Sequence, residues 1–200
     1  MNWQKLISTT LHPIVMPTIG LLLFFLVSDL RMNQEQKLVI FSIIFIATYI
    51  IPLLLLIFLK GFGLIKSYQV STINERKIPL FLMTTLFFFL GKMLMNLPMI
   101  RDFALLFYGS TISLILVYFL FIFKIKSSLH LLSMGSTISF FLLIDTFNHR
   151  AILFSLTILL FVLSGLLARA RLDLKAHTTH EIYIGFFIGF IGQIAAFSFL

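Results

Sequence analysis

Ala168-Arg169-Ala170-Arg171-Leu172-Asp173-Leu174-Lys175-Ala176-His177-Thr178-Thr179-His180-Glu181 separates an apolar run over 151–168 from an apolar, glycine-spaced run over 180–199. Each run comes close to the roughly 20 residues that a helix needs to cross the hydrocarbon of a bilayer. A charged break between two such runs belongs to a polytopic membrane protein, and no other stretch gathers so much charge and histidine. From Thr178 onward the sequence reads as helix, which stacks His177, Glu181, Gly185 and Gly189 on one face. At that spacing an imidazole and a carboxylate can meet. A carboxylate that accepts one ring N–H fixes the tautomer, frees the other nitrogen as a nucleophile and steadies the ring as it becomes positive. The two glycines would let a neighbouring helix approach the same face closely.

The whole chain supports the membrane reading. Its 200 residues are 60% hydrophobic and 11% charged, with mean hydropathy +1.10. Too little polar surface exists to clothe a soluble domain. The 25 phenylalanines are lipid-facing or packing bulk with no chemistry by default. The absence of cysteine excludes disulfides, thiolate nucleophiles and zinc–thiolate sites. A net charge of +8 fits anionic headgroups or an anionic substrate. The basic residues stand singly between apolar spans, so nucleic acid is not an expected partner. The first apolar run lacks a small-residue cleavage site and few positive charges precede it, so it reads as a retained helix.

Apolar spans are predicted over 11–29, 38–59, 78–97, 103–123, 128–146, 151–168 and 180–199, about seven in all. Lys92 interrupts the third and must snorkel or face a neighbour. The expected fold is therefore all-α, a polytopic transmembrane helical bundle of six to seven crossings, forming one integral membrane domain over 1–200.

Three breaks are richer than a turn requires. One runs from Lys60 through Lys66 to Asn74-Glu75-Arg76-Lys77-Ile78-Pro79, and a second is Lys124-Ile125-Lys126-Ser127-Ser128-Leu129-His130. The third is the opening stretch. Two crossings separate each from the next, so all three fall on one side of the membrane, and the breaks near 31–37, 96–102 and 145–150 fall on the other. Arg76, His130, Arg171 and His177 thus emerge at one level, where two arginines and two histidines call for an anion. Helix N-termini near Ser128 and His177 add to the same positive field.

These residues resemble the type 2 phosphatidic acid phosphatase superfamily, the membrane phosphatases related to vanadium haloperoxidases. The third break is similar to that family's last signature, through Arg171, His177 six residues on, Glu181 four after it and Gly185 four after that. The second resembles the family's Pro-Ser-Gly-His in Ser127-Ser128-Leu129-His130, and the first its Lys-and-Arg-Pro signature through Arg76 and Pro79. The matches run in the family's order from Arg76 to Gly185, within a phosphatase-like core of about 60–200. The resemblance implies that His177 attacks phosphorus and becomes phosphorylated, with Glu181 orienting it. It implies that His130 protonates the leaving oxygen and later activates water, that Arg171 and Arg76 hold the phosphoryl oxygens, and that Ser128 completes their cradle. No metal or cofactor is implied. The chain also departs from the pattern: Glu181 replaces an aspartate, Leu129 a glycine and Ala170 a serine, while Gln69 stands where a lysine seven before Arg76 is usual.

The expected function is metal-independent hydrolysis of a lipid phosphate or diphosphate, from a phospholipid or an isoprenoid, in a bacterial inner membrane. The alternative is a non-catalytic relative that binds or moves an anionic lipid, and a solute channel ranks below both. His12 with Pro13 reads as a helix start, and His180 as a neighbour of the site without a role. Lys124, Lys126, Arg169 and Lys175 read as headgroup anchors, while Lys66 or Lys77 could replace the missing lysine. Asp145, His149 and Arg150 form a polar turn on the far side with no assigned role. Of the lysines and arginines, ten (Lys5, Lys60, Lys66, Arg76, Lys77, Lys124, Lys126, Arg169, Arg171 and Lys175) fall on the motif side and five (Arg31, Lys37, Lys92, Arg101 and Arg150) on the other. The positive-inside rule would put the motifs in the cytoplasm, whereas the resemblance implies an extracytoplasmic site.

Overall fold

A computed structural model describes residues 2–28, 30–68, 70, 72–148 and 151–199, with backbone alone at 146–148 and 151–153. Gln69, His149 and Arg150, singled out above, lie outside the described residues. Among those described, the chain is all-helical: α1 Trp3–Thr10, α2 Met16–Val27, α3 Gln34–Phe45, α4 Ile51–Gly61, α5 Ile73–Met95, α6 Arg101–Leu120, α7 Leu129–Asn148, α8 Ala151–Asp173 and α9 Thr179–Phe199. Five stretches are long and apolar enough to cross a membrane: Gln34–Gly61, Ile73–Met95, Pro98–Leu120, Phe154–Asp173 and Thr179–Phe199. The protein is thus an integral membrane protein by the length and composition of its helices.

Two further apolar helices, Met16–Val27 and Leu129–Asp145, are shorter. The expected first span over 11–29 is divided. Its opening residues form a turn at Pro13, preceded by the separate helix α1, and α2 with 12 residues is only about 18 Å long. Elsewhere the helices overrun the apolar windows because end chemistry, not hydropathy, sets where they start and stop. α5 starts at Ile73 rather than 78, since the Thr72 hydroxyl accepts from the Glu75 amide while the Glu75 carboxylate accepts from the Thr72 amide. Asn33 and Gln36 form the same reciprocal cap on α3. α8 runs on through Arg169, Arg171 and Asp173, so Arg171 sits in a last helical turn, where a cation meets the negative end of the dipole. Lys92 lies exposed one turn from the end of α5 and does not interrupt it.

α3 and α4 form one continuous helix through a π turn at Ile46–Ile50. Pro52 has no N–H for the Thr48 carbonyl four residues earlier, and its ring would crowd that carbonyl in a regular α-turn; widening the turn relieves both. The core lies between α2, α6 and α7, where Phe24, Phe103, Phe107 and Phe140 are buried, with ring centroids 5.3 Å apart for Phe24–Phe103 and 5.7 Å for Phe103–Phe140. Leu26, Phe119, Ile122 and Phe199 are exposed apolar side chains of the kind that face lipid.

The seam between α7 and α9 positions the site. A Cβ on Gly185 would press on the Ser128 carbonyl, one on Gly189 on the Leu132 carbonyl, and one on Gly135 on the Phe186 carbonyl. Glycine lets the two backbones touch there. Between helices in lipid, such contact supplies the dispersion energy that the hydrophobic effect supplies in water. The Ser128 amide donates to the Glu181 carbonyl at 2.9 Å, locking the start of α7 to the start of α9.

Candidate active site

Four residues picked out by their spacing line one cavity of about 220 Å³: Arg76 from the first turn of α5, His130 from the start of α7, Arg171 from the end of α8, and His177 from the turn before α9. His12 is on the same wall. Two guanidinium groups and three imidazoles therefore converge, and among the described residues the lining contains no carboxylate. Most of the remaining lining is apolar, with Pro52, Leu55, Met83, Phe87, Leu106 and Leu114 among its residues, and Ser110, Ser133, Ser136 and Thr137 add hydroxyls to it. The cavity is amphiphilic.

His177 is held by its partner on the next turn. Its Nδ1 lies 2.6 Å from Oε2 of Glu181, with 4% of the His177 side chain and 21% of the Glu181 side chain exposed. An ionised carboxylate only accepts, so Nδ1 carries the proton and Nε2 keeps a lone pair. Burial pushes the His177 ring below its ordinary value. The Glu181 hydrogen bond opposes that shift, and the nearby Arg171 and Arg76 reinforce it. Glu181 itself is absent from the cavity lining and sits behind the ring.

Arg76 donates from Nε to the Val70 carbonyl at 2.9 Å and from Nη1 to the Ser127 carbonyl at 3.2 Å. Val70 reaches that position at φ 45°, a left-handed conformation that costs a β-branched residue about 1–3 kcal/mol. Arg171 donates from Nη1 to the Ser8 hydroxyl at 2.8 Å, while its Nε is buried with no acceptor among the described residues.

Ser128 is placed differently from the other expected residues. It is fully buried, it is not among the cavity-lining residues, and its amide is taken by Glu181. Its hydroxyl and that of Ser127 are buried without partners among the described residues. Leu129 lines the cavity, whereas Lys66 and Lys77 are exposed and do not. Ala170 is fully buried.

Two contributors escaped the sequence reading. Ser8 on α1 contacts both His130 and Arg171. His12 lies edge-on to His130 with centroids 4.9 Å apart, and its Nδ1 accepts from the Ile14 amide at 3.3 Å, leaving the proton on Nε2. Burial, then Arg171, push His12 below its ordinary value, so it stays neutral beside the guanidinium. The available signal was His12-Pro13 in an otherwise apolar run. Read as a helix start, it gave no reason to look for a distant partner. Neither a protein-family model, nor a curated protein sequence, nor a solved structure matches this chain.

Proposed function

We propose that this chain is a membrane-embedded phosphatase of the type 2 phosphatidic acid phosphatase kind, acting on a lipid phosphate or diphosphate through a phosphohistidine at His177. The observation that carries the reading is one cavity that gathers Arg76, Arg171, His130 and a carboxylate-backed His177 and whose remaining lining is mostly apolar. Such a cavity suits a molecule with a phosphate at one end and hydrocarbon at the other. Arg171, with a buried N–H lacking an acceptor, gains most from an oxyanion.

In the first step the Nε2 lone pair of His177 bonds to phosphorus as the bond to the leaving oxygen breaks, and that oxygen takes a proton from His130. In the second, water gives a proton to His130 and attacks phosphorus, the N–P bond breaks, and phosphate leaves with His177 restored. Arg76 and Arg171 carry the charge spread over the phosphoryl oxygens in both steps. Purified protein is expected to release phosphate from vesicles containing phosphatidic acid, phosphatidylglycerol phosphate or an isoprenoid diphosphate; silence across all three refutes the reading.

Neutral His177 is the reactive form and its ring is pushed below 6.5, so the acid limb of kcat/KM is expected below pH 6.5. Glu181 raises the His177 value, so Glu181→Gln should move that limb further toward acid. A limb belonging to the substrate's own second ionisation would stay where it is in the variant, which separates the two.

In this reading α2 crosses together with the turn at 11–15 that precedes it, and α7 also crosses, giving seven spans in a bacterial inner membrane, with the site facing outward. α9 starts at the site and runs about 30 Å away from it, so the C-terminus is at the opposite face. A green fluorescent protein fused there should fluoresce, and an export-dependent alkaline phosphatase fused there should be inactive. The reverse pair of results would put the site in the cytoplasm, where the excess of basic residues points.

A second reading has its own observation. Leu129 lines the cavity in place of glycine, the Ser128 amide is already used, and the lining contains no lysine, so fewer donors reach an anion than the family pattern provides. A protein that binds anionic lipid and turns none over would meet that reading instead.

A further inference from the structure

We propose that Ser8, on the N-terminal helix, is a positioning residue for both His130 and Arg171. Its carbonyl oxygen lies 3.1 Å from Nε2 of His130, and its hydroxyl lies 3.5 Å from the same nitrogen and 2.8 Å from Nη1 of Arg171. A carbonyl only accepts. A neutral ring with its lone pair on Nε2 would set that pair against the carbonyl's own, so the proton sits on Nε2 and is donated to Ser8. Nδ1 of His130 then remains to take up and give back a proton, and it has no hydrogen-bond partner among the described residues.

His177 is held the other way round, with Nδ1–H on Glu181 and Nε2 free. The two imidazoles therefore have opposite tautomers, each imposed by what stands behind it. A carboxylate backs the nucleophile and helps it to become positive. A neutral carbonyl backs the acid, orienting the ring without adding a negative charge that would hold its second proton. The Ser8 hydroxyl meanwhile pins one corner of Arg171, leaving the buried Nε and the other amino group for an oxyanion. Ser8 is buried where α1 packs on α8, so a single residue of an otherwise peripheral helix fixes two groups from two other helices. The catalytic consequence rests on the phosphatase reading, whereas the tautomer does not.

NMR of the ring nitrogens in full-length protein labelled at histidine, assigned with His130→Gln and His177→Gln, tests the first half. At a pH where both rings are neutral, His130 should be protonated at Nε2 and His177 at Nδ1; a His130 ring protonated at Nδ1 overturns the proposal. The second half is tested by orthovanadate binding. Ser8→Ala removes the hydroxyl, keeps the carbonyl, and should weaken vanadate about tenfold while leaving the His130 tautomer unchanged. Ser8→Thr should restore most of the loss. Unchanged affinity in Ser8→Ala, or a wild-type protein that holds no vanadate, removes the Arg171 role. Neither measurement needs turnover, so a protein that releases no phosphate would end the phosphatase reading while these two results still decide this one.

Discussion

His177→Ala is expected to lower phosphate release from a lipid phosphate at least about a thousandfold, while the protein keeps its melting temperature in detergent. In the proposed chemistry the imidazole forms the bond to phosphorus, so without it only positioning and charge stabilisation by Arg76 and Arg171 remain. Glu181→Gln should be milder, a loss of about a hundredfold or more. The glutamine oxygen can still accept the Nδ1 proton but no longer offsets the charge that the ring acquires. The order of the two losses matters as much as their size. A structural histidine–carboxylate pair would show itself in the melting temperature of both variants and would leave per-molecule activity alone. His177→Gly adds a positive control, because free imidazole supplied to that variant should recover part of the activity. Undiminished release from His177→Ala would leave a helical membrane bundle with a basic cavity and no assigned nucleophile.

The pairing of His177 with Glu181 was readable because both partners lie on one helix face, and a four-residue spacing decides their contact before any tertiary structure forms. The same holds for Gly185 and Gly189, whose missing side chains could only serve a close neighbour. The start of α5 carried a signal that a reading by hydropathy, which placed it at 78, passed over. Thr72 followed by Glu75 is the signature of a reciprocal cap, and it places Arg76 on the first helical turn; hydropathy hid this because that turn is polar. Ser8 was not legible. α1 is eight residues long and too polar for a hydropathy window to register, and it gains its place by packing on α8, more than 140 residues away in sequence. The carbonyls that hold Arg76 and His130 belong to Val70, Ser127 and Ser8, and a main-chain carbonyl has no identity in a sequence. Side-chain chemistry within one helix turn could thus be read in advance. Hydrogen bonds between distant segments that end on main-chain carbonyls could not.

Gly185→Ala is expected to be strongly damaging, and it tests the fold and the site together. The added Cβ would meet the Ser128 carbonyl, which is backbone and cannot swing aside as a flexible side chain would. Overpacking costs about 1–3 kcal/mol in ordinary cores, and a backbone-on-backbone clash belongs at or beyond the upper end. Relief requires α7 and α9 to separate, which stretches the Ser128–Glu181 main-chain hydrogen bond and draws His130 on α7 away from the His177–Glu181 pair at the start of α9. Phosphate release per folded molecule should therefore fall along with the melting temperature. Gly189→Ala, one turn deeper against Leu132, should destabilise comparably but disturb the site less. Gly165→Ala is the matched control: nothing lies within 4 Å of its Cβ, the position is exposed on α8, and alanine gains up to about 1 kcal/mol over glycine in a helix interior. Should the 185 variant melt like the 165 variant and keep its turnover, the two helices do not touch at the site, and the donors gathered around the cavity lose the scaffold that holds them in register.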